Sequence, residues 1–391
     1  MYYTYLSVFL VAFVNGLITL SLPLYAINEG ISLLSLGSLL AARGAGTLLA
    51  NIPAGFVIER FGERKLVQLS KTAVSASCLG YLFFNSFVGL IVITFLLGMG
   101  MGCIALARHT LISAKVCPQQ RGRALSKLSS IQRAGYFLGP IIGGSVTELY
   151  SHHAAFLLAG GLMCIGLISY SFGLLSDHPK QNSRSLISFI QWMPSYIKGN
   201  VKSLVPSIFF VMSLRMIRSS WQLLLPLWAN HMGLNGTQIG VVFGVFAAMD
   251  ILLLYLGGYI TDHFGRKWVA IPCVVILSAC VLSMPYCLNY NSLILLAVFA
   301  GVANGLGAGI IMTLGLDLAP TDNRSIFLAA WRSMSDLSTA ASPLVISSLA
   351  GAFALSTAML FSGGVGLMGG LVMLVGKSET IHFTLEPAKE A

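Results

Sequence analysis

Apolar residues come in long unbroken runs separated by short polar breaks, and the runs are apolar all round rather than alternating every second residue. A bilayer core of roughly 30 Å takes about 20 apolar residues per helix. Twelve runs of that kind lie near 4–27, 33–57, 68–85, 87–114, 124–147, 154–175, 204–230, 236–261, 268–288, 292–318, 325–349 and 353–376. A transmembrane barrel would need shorter segments of period two, so the pattern predicts an all-α integral membrane protein.

The breaks repeat. Gly55 precedes the acid Glu59 by four residues, Gly62 follows it by three, and Arg64 and Lys65 close the run; Gly258, Asp262, Gly265, Arg266 and Lys267 echo this 203 residues later. The same offset relates Gly30 to Gly233, Gly37 to Gly240, Gly98 to Gly301, Arg121 to Arg324 and Pro140 to Pro343. One unit is therefore written twice: a bundle over 1–175, a polar linker over 176–203, a second bundle over 204–377 and a tail over 378–391. Ile187 to Ile197 within the linker fits an amphipathic helix on the membrane surface.

Composition agrees, with 56% apolar residues, 9% charged residues and a mean hydropathy of +0.83. The formal net charge of +10 does not point to nucleic acid, because the bases sort by side of the membrane. With the first residue inside, seventeen of the 23 Lys and Arg fall in cytoplasmic loops or the tail, Lys71 among them, and both termini are expected in the cytoplasm. The first run is a full span without a basic leader or cleavage site, which reads as a helix and not a cleaved signal peptide. Seven cysteines without metal-ligand spacing, and His152-His153 without further ligands, predict no metal centre and no cofactor. Gly305-Leu-Gly307-Ala-Gly309 lies mid-span after no strand and is not a nucleotide loop.

The glycine-x3-acid-basic-x-glycine loop between the second and third spans resembles motif A of the major facilitator superfamily, with a weaker copy between the eighth and ninth. Gly135, Gly139, Pro140, Gly143 and Gly144 resemble the motif C of that family's twelve-helix drug:proton antiporters. The resemblance implies two six-helix bundles in pseudo-symmetry around a cavity lined by spans 1, 4, 7 and 10, opening alternately to each side. It implies a monomeric secondary transporter in the inner membrane, driven by protons and exporting small amphiphilic compounds, with no enzymatic activity. Uptake or exchange of an organic anion is the alternative transport reading, and a non-transporting membrane sensor the alternative from another class.

Site expectations follow from charge and depth. Glu59 and Asp262, with Arg60, Arg64 and Arg266 around them, are placed to meet helix N-termini across the closed cytoplasmic face. Gly135, Gly139, Gly143 and Gly144 let backbones approach, and Pro140 makes that helix bendable. A charge at mid-membrane costs about 2.5–3.5 kcal/mol on insertion scales, so buried charges need partners. Counting residues from the loops brings Arg133 and Asp250 to one depth, and the resemblance implies that spans 5 and 8 adjoin, as do 2 and 11, so that Arg133 faces Asp250 and Asp336 faces either Arg43 or its i, i+4 neighbour Arg332. These five are the candidate proton-coupling groups. Arg108, Arg215 and Arg218 have no evident acid and, with Asn15 and Trp221, are the candidate substrate contacts.

Overall fold

The computed structural model describes residues 2–84, 86–115, 121–172, 186–320 and 324–376. Side chains are described for all of these except residues 2–4, 51–53, 55, 56, 58, 59, 108–115, 121–127, 171, 172, 186–198, 324–326 and 329. Among the described residues the chain is helical with no strand, as a bilayer demands of a backbone whose amides find no water. The amino half holds α1 (Tyr2–Asn28), α2 (Leu33–Leu49), α3 (Asn51–Gly80), α4 (Phe87–Lys115), α5 (Arg121–Leu149) and α6 (His152–Phe172). The carboxyl half holds α7 (Leu186–His231), α8 (Gly236–His263), α9 (Lys267–Ser283), α10 (Tyr290–Leu306), α11 (Ile310–Leu318), α12 (Arg324–Ala352) and α13 (Leu355–Val375). Eight described helical segments are long and apolar enough to cross a membrane.

The repeat seen in the residues is also a repeat of local geometry. The described residues with positive φ are four glycines, Gly30 (70°) with Gly233 (77°) and Gly62 (83°) with Gly265 (100°), two pairs at the same offset. These left-handed positions reverse the chain at the two ends of the bundle, where a Cβ would be strained. Helix starts repeat likewise. Ser32 caps α2 by accepting from Ser35 N, and Asn235 caps α8 from Gln238 N in a reciprocal capping box. Ser86 accepts from Gly89 N at the start of α4, and Asn289 from Ser292 N at the start of α10.

Three features differ from the pattern-based expectation. The second run does not end in a clean loop: α2 gives way at Ala50 to α3, which runs on to Gly62, where the helix breaks before the third run begins. The tenth run is split at Gly307–Gly309 into α10 and α11, because three glycines in five residues hold a helix weakly. Lys71, counted among the cytoplasmic bases, is fully buried inside the amino bundle. The linker residues 186–199 are helical and bend into the seventh span at Asn200, whereas 173–185 and the tail lie outside the described residues.

Glycines set the close crossings. Gly98 of α4 sits on the Arg43 carbonyl of α2, and Gly301 of α10 on the Phe246 carbonyl of α8, the same contact 203 residues on. Gly102 meets Thr47 as Gly305 meets Asp250. Between the halves, α5 packs on α8 and α2 on α12.

At the end marked by Gly30 and Gly233, one buried apolar cluster joins both halves: Leu20 and Leu24 of α1 and Leu36 of α2 with Leu227 of α7 and Ile346 of α12. Toward the Gly62 and Gly265 end the smaller clusters, such as Ala50–Leu66–Cys103 and Val8–Leu128, hold only amino-half residues among those described. The molecule is sealed at one end.

Candidate functional site

Between the halves lies a cavity of about 620 Å³. The amino half contributes Asn15, Arg43, Gln132 and Tyr136; the carboxyl half contributes Arg215, Gln222, Arg332 and Asp336. It reaches Ser7 and Leu128 toward the Gly62 end and narrows near Pro23 and Pro343 below the apolar plug. A second chamber of about 580 Å³ shares Asn15, Thr19, Gln132, Tyr136 and Gln222 with the first, and adds Arg133, Asp250 and Asn304. The two spaces adjoin along these shared polar residues and differ in the charges they add.

Arg133 of α5 and Asp250 of α8 form a direct ion pair across the two halves, as their matched depth predicts. Asn304 of α10 donates to the other carboxylate oxygen at 2.7 Å, a partner that the sequence reading missed. An Asn buried in an otherwise apolar run was the available signal. Asp336 lies 3.7 Å from Arg332 Nε on its own helix, the nearer of the two pairings expected for it. Arg43 does not reach it. Its guanidinium donates instead to Asn15 Oδ1, and Asn15 Nδ2 donates to Tyr136 Oη at 2.7 Å, tying α1, α2 and α5 together.

Of the candidate substrate contacts, Asn15 and Arg215 line the main cavity. Arg215 Nε has no hydrogen-bond partner among the described residues. Arg218 points the other way. Its Nη2 donates to the Gly307 carbonyl at 2.9 Å, at the break between α10 and α11, where that oxygen also accepts from Ile310 N at 3.3 Å. Trp221 also leaves the cavity: it is 1% exposed and stacks on Phe246 with centroids 5.5 Å apart. The side chain of Arg108 lies outside the described residues.

Gly135, Gly139 and Gly143 seat α5 on α1. A Cβ at Gly135 would lie 2.7 Å from Phe9 O, one at Gly139 2.9 Å from Leu17 N, and one at Gly143 2.9 Å from Leu17 Cγ. Pro140 Cδ packs against Gly16 on the same face. Gly144 turns to the other half, where a Cβ would meet Gly236 and Gly240 of α8. Four residues on, Glu148 accepts from Gly236 N at 2.9 Å.

At the Gly62 end Arg60 lies over the Phe61 ring, and Arg64 follows the break. Gly55 and the Glu59 side chain lie outside what is described. Asp262 is 73% exposed and approaches only its neighbour Arg266, at 3.3 Å. Arg266 is clamped by Asp317 of α11 at 2.9 Å; that hydrogen bond, outweighing partial desolvation, holds the guanidinium proton more firmly than usual.

The Major Facilitator Superfamily profile matches residues 4–221 and 204–390, and the chain belongs to that family. Among curated proteins it is 25% identical over 250 residues to the uncharacterized MFS-type transporter YcaD of Escherichia coli, covering 63% of this chain and 62% of YcaD. The match thus spans less than two thirds of that relative. Among solved structures, a POT family transporter in complex with a thioalcohol-conjugated peptide superposes with a TM-score of 0.79 at 14% identity, over 95% of each chain. A point mutant of the nucleoside transporter NupG superposes with a TM-score of 0.78 at 12% identity, covering 95% of this chain and 98% of that one. The protein is a multi-pass inner-membrane member of the major facilitator superfamily.

Proposed function

We propose that the chain is a proton-coupled, alternating-access carrier of a small amphiphilic solute bearing an anionic group. One observation carries the reading. Among the described residues the main cavity presents three guanidiniums, Arg43, Arg215 and Arg332, against the single carboxylate of Asp336, and Arg215 Nε has no hydrogen-bond partner. In a low-dielectric site that excess favours a carboxylate or similar anion, which a guanidinium grips with paired hydrogen bonds. Leu40, Ile311 and Trp331 supply an apolar wall for the rest of the solute.

The charge bias of the loops assigns the Gly62 end to the cytoplasm. The apolar plug then closes the external side, and the described state faces inward. Exposure of Asp262 fits this state, because its partner at the start of α5 would be met only when the halves close on the cytoplasmic side. Arg133–Asp250 and Arg332–Asp336 are the coupling groups in this reading. Burial raises a carboxylate's proton affinity and a nearby arginine lowers it, so making and breaking a pair moves a proton. The protein acts as a monomer.

A second reading, export of an amphiphile in exchange for protons, is favoured by the glycine seam from Gly135 to Gly144, which resembles the antiporter motif. Thermal-shift screening of the purified protein against carboxylates, phosphates and cationic drugs, followed by proteoliposome transport of any hit under each direction of proton gradient, tests both. The anion reading expects carboxylate hits and loss of binding in Arg215→Gln. Hits confined to cations would overturn it, and the gradient direction that concentrates the solute decides between import and export.

A further inference from the structure

Lys71 sits in the interior of the amino bundle with no exposed surface. Its Nζ donates to Ser7 Oγ of α1 at 2.6 Å and to the Gly166 carbonyl of α6 at 2.5 Å, and lies 4.8 Å from the centre of the Tyr170 ring. No described carboxylate pairs with it. Helices α1, α4 and α6 contain no acidic residue, and Glu63, the nearest acid earlier on α3, lies eight residues and roughly 12 Å away. Other titratable groups on these helices include Tyr5 and Tyr25 of α1, Cys103 of α4, and His152, His153, Cys164 and Tyr170 of α6.

A satisfied ammonium is also what a static brace would look like, and the carboxyl half argues against that role. The positions 203 residues on from Ser7, Lys71, Gly166 and Tyr170 are Phe210, Val274, Gly369 and Met373, and the three apolar side chains are wholly or nearly unexposed. The correspondence is spatial as well: Gly166 faces Leu10 as Gly369 faces Ser213. The same three-helix junction is thus built with apolar side chains at the places of Ser7, Lys71 and Tyr170. The fold does not require the lysine.

Its position does connect to transport. Ser7 and Tyr170 both line the main cavity near the Gly62 end, so the ammonium stands one side chain behind the cavity wall. That wall is wet while the Gly62 end is open and dry once the halves close over it. An amine with water close by keeps its proton, and one in a dry, counter-ion-free interior loses it more readily.

We propose that Lys71 is a proton-binding site of the transport cycle, protonated while the Gly62 end is open and neutral when that end is closed. The step is a simple proton transfer: Nζ–H⁺ gives its proton to cavity water, leaving an amine, and regains one on reopening. The proposal is separate from the carboxylate pairs and from the nature of the solute.

Two measurements on the full-length protein in nanodiscs test it. In protein with ¹⁵N-labelled lysine, one Nζ signal, absent in Lys71→Arg, is expected to appear as a neutral amine under conditions where every other lysine stays charged. Every lysine staying charged under those conditions would overturn the proposal. This needs only the wild type and a variant that keeps the charge, and it decides the matter even where a neutral variant fails to fold. Spin-label distances across the Gly62 end, from sites beside Phe61 and Phe264 in a cysteine-free background, should lengthen as pH falls. Lys71→Met should cut that response at least threefold and Lys71→Arg should hold the long distance throughout. A wild-type response in Lys71→Met would overturn the proposal and assign the effect to Asp250 or Asp336.

Discussion

The two seams between the halves occupy equivalent places in the repeat yet are built differently. On the α5–α8 seam, Gly144 lies on the backbone of Gly236 and Gly240, Glu148 accepts from Gly236 N, and Arg133 pairs across to Asp250. On the α2–α12 seam, Ser347 stands where Gly144 stands and packs its Cβ against Gly37, while Ala340 packs against Gly44. Asp336 occupies the place of Arg133, and its ion pair is with Arg332 on its own helix. Both seams bring backbones close, at Gly144 on Gly236 and at Gly44 on Ala340, but one is bound across the halves by a charge pair and a carboxylate on a backbone amide, while the other has its charges turned into the cavity. Opening and closing the molecule should therefore draw most of its energy from the α5–α8 seam, leaving the α12 charges free to meet the solute.

The largest effect that would test this contrast is a single methyl group. Gly144→Ala places a Cβ within about 3 Å of α8 backbone atoms, so the seam must part, and Gly139→Ala does the same to the α1–α5 contact inside the amino half as a control. We expect at least a tenfold loss of transport rate in proteoliposomes and a lower yield of monodisperse protein. Ser342→Ala and Ser347→Ala, at the matching places in α12, remove only a hydroxyl that bonds its own helix or nothing. Thermal stability should stay within about 0.5 kcal/mol of wild type. Equal tolerance on both seams would remove the distinction.

Next in size is the cross-seam ion pair. Asp250→Asn leaves Arg133 buried beside a neutral amide, a class of change that costs about 3–5 kcal/mol. Asp336→Asn leaves Arg332, 38% exposed to the cavity, with water as a substitute, and should cost about 0–1 kcal/mol. Thermal unfolding in detergent reads the difference. Arg133→Leu combined with Asp250→Leu should recover much of the stability while gradient-driven transport stays lost and energy-independent exchange persists. If Asp250→Asn still concentrates solute with the wild-type pH dependence, the pair is structural.

What the sequence made legible was whatever depends on depth along a helix. Depth along the helix, with the adjacency of spans 5 and 8 that the family resemblance implies, brought Arg133 to Asp250; i, i+4 spacing offered Arg332 to Asp336; and the offset of 203 made Gly98 and Gly301 equivalent, as their contacts on Arg43 and Phe246 are. Direction around a helix was not legible, because it depends on which neighbour packs there. Arg215 and Arg218 are three residues apart, yet the first faces the cavity and the second the Gly307 carbonyl at the glycine break in the tenth run. Lys71 was counted as a loop base because its run begins only a few residues before it, and nothing in α3 alone reveals that Ser7 and Gly166 close over it.

The smallest expected effect concerns the Gly62 end, where neither seam is closed. Asp262 there makes one exposed contact to Arg266, and Arg266 keeps its stronger hydrogen bond to Asp317 whether or not Asp262 is charged. Removing the Asp262 charge should therefore leave the open state almost unchanged, since exposed ion pairs contribute little. In the closed state the same carboxylate would face the start of α5, where a helix N-terminus favours an anion by about 0.3–1 kcal/mol. Asp262→Asn should thus shift the open-to-closed ratio toward open by roughly two- to fivefold, and Glu59→Gln should do the same against the start of α12. Spin-label distances across this end, compared with those across the Gly30 end, would read the shift with thermal stability as the control. Unchanged distances in both variants would leave these acids as loop residues, and closure would then rest on the two seams alone.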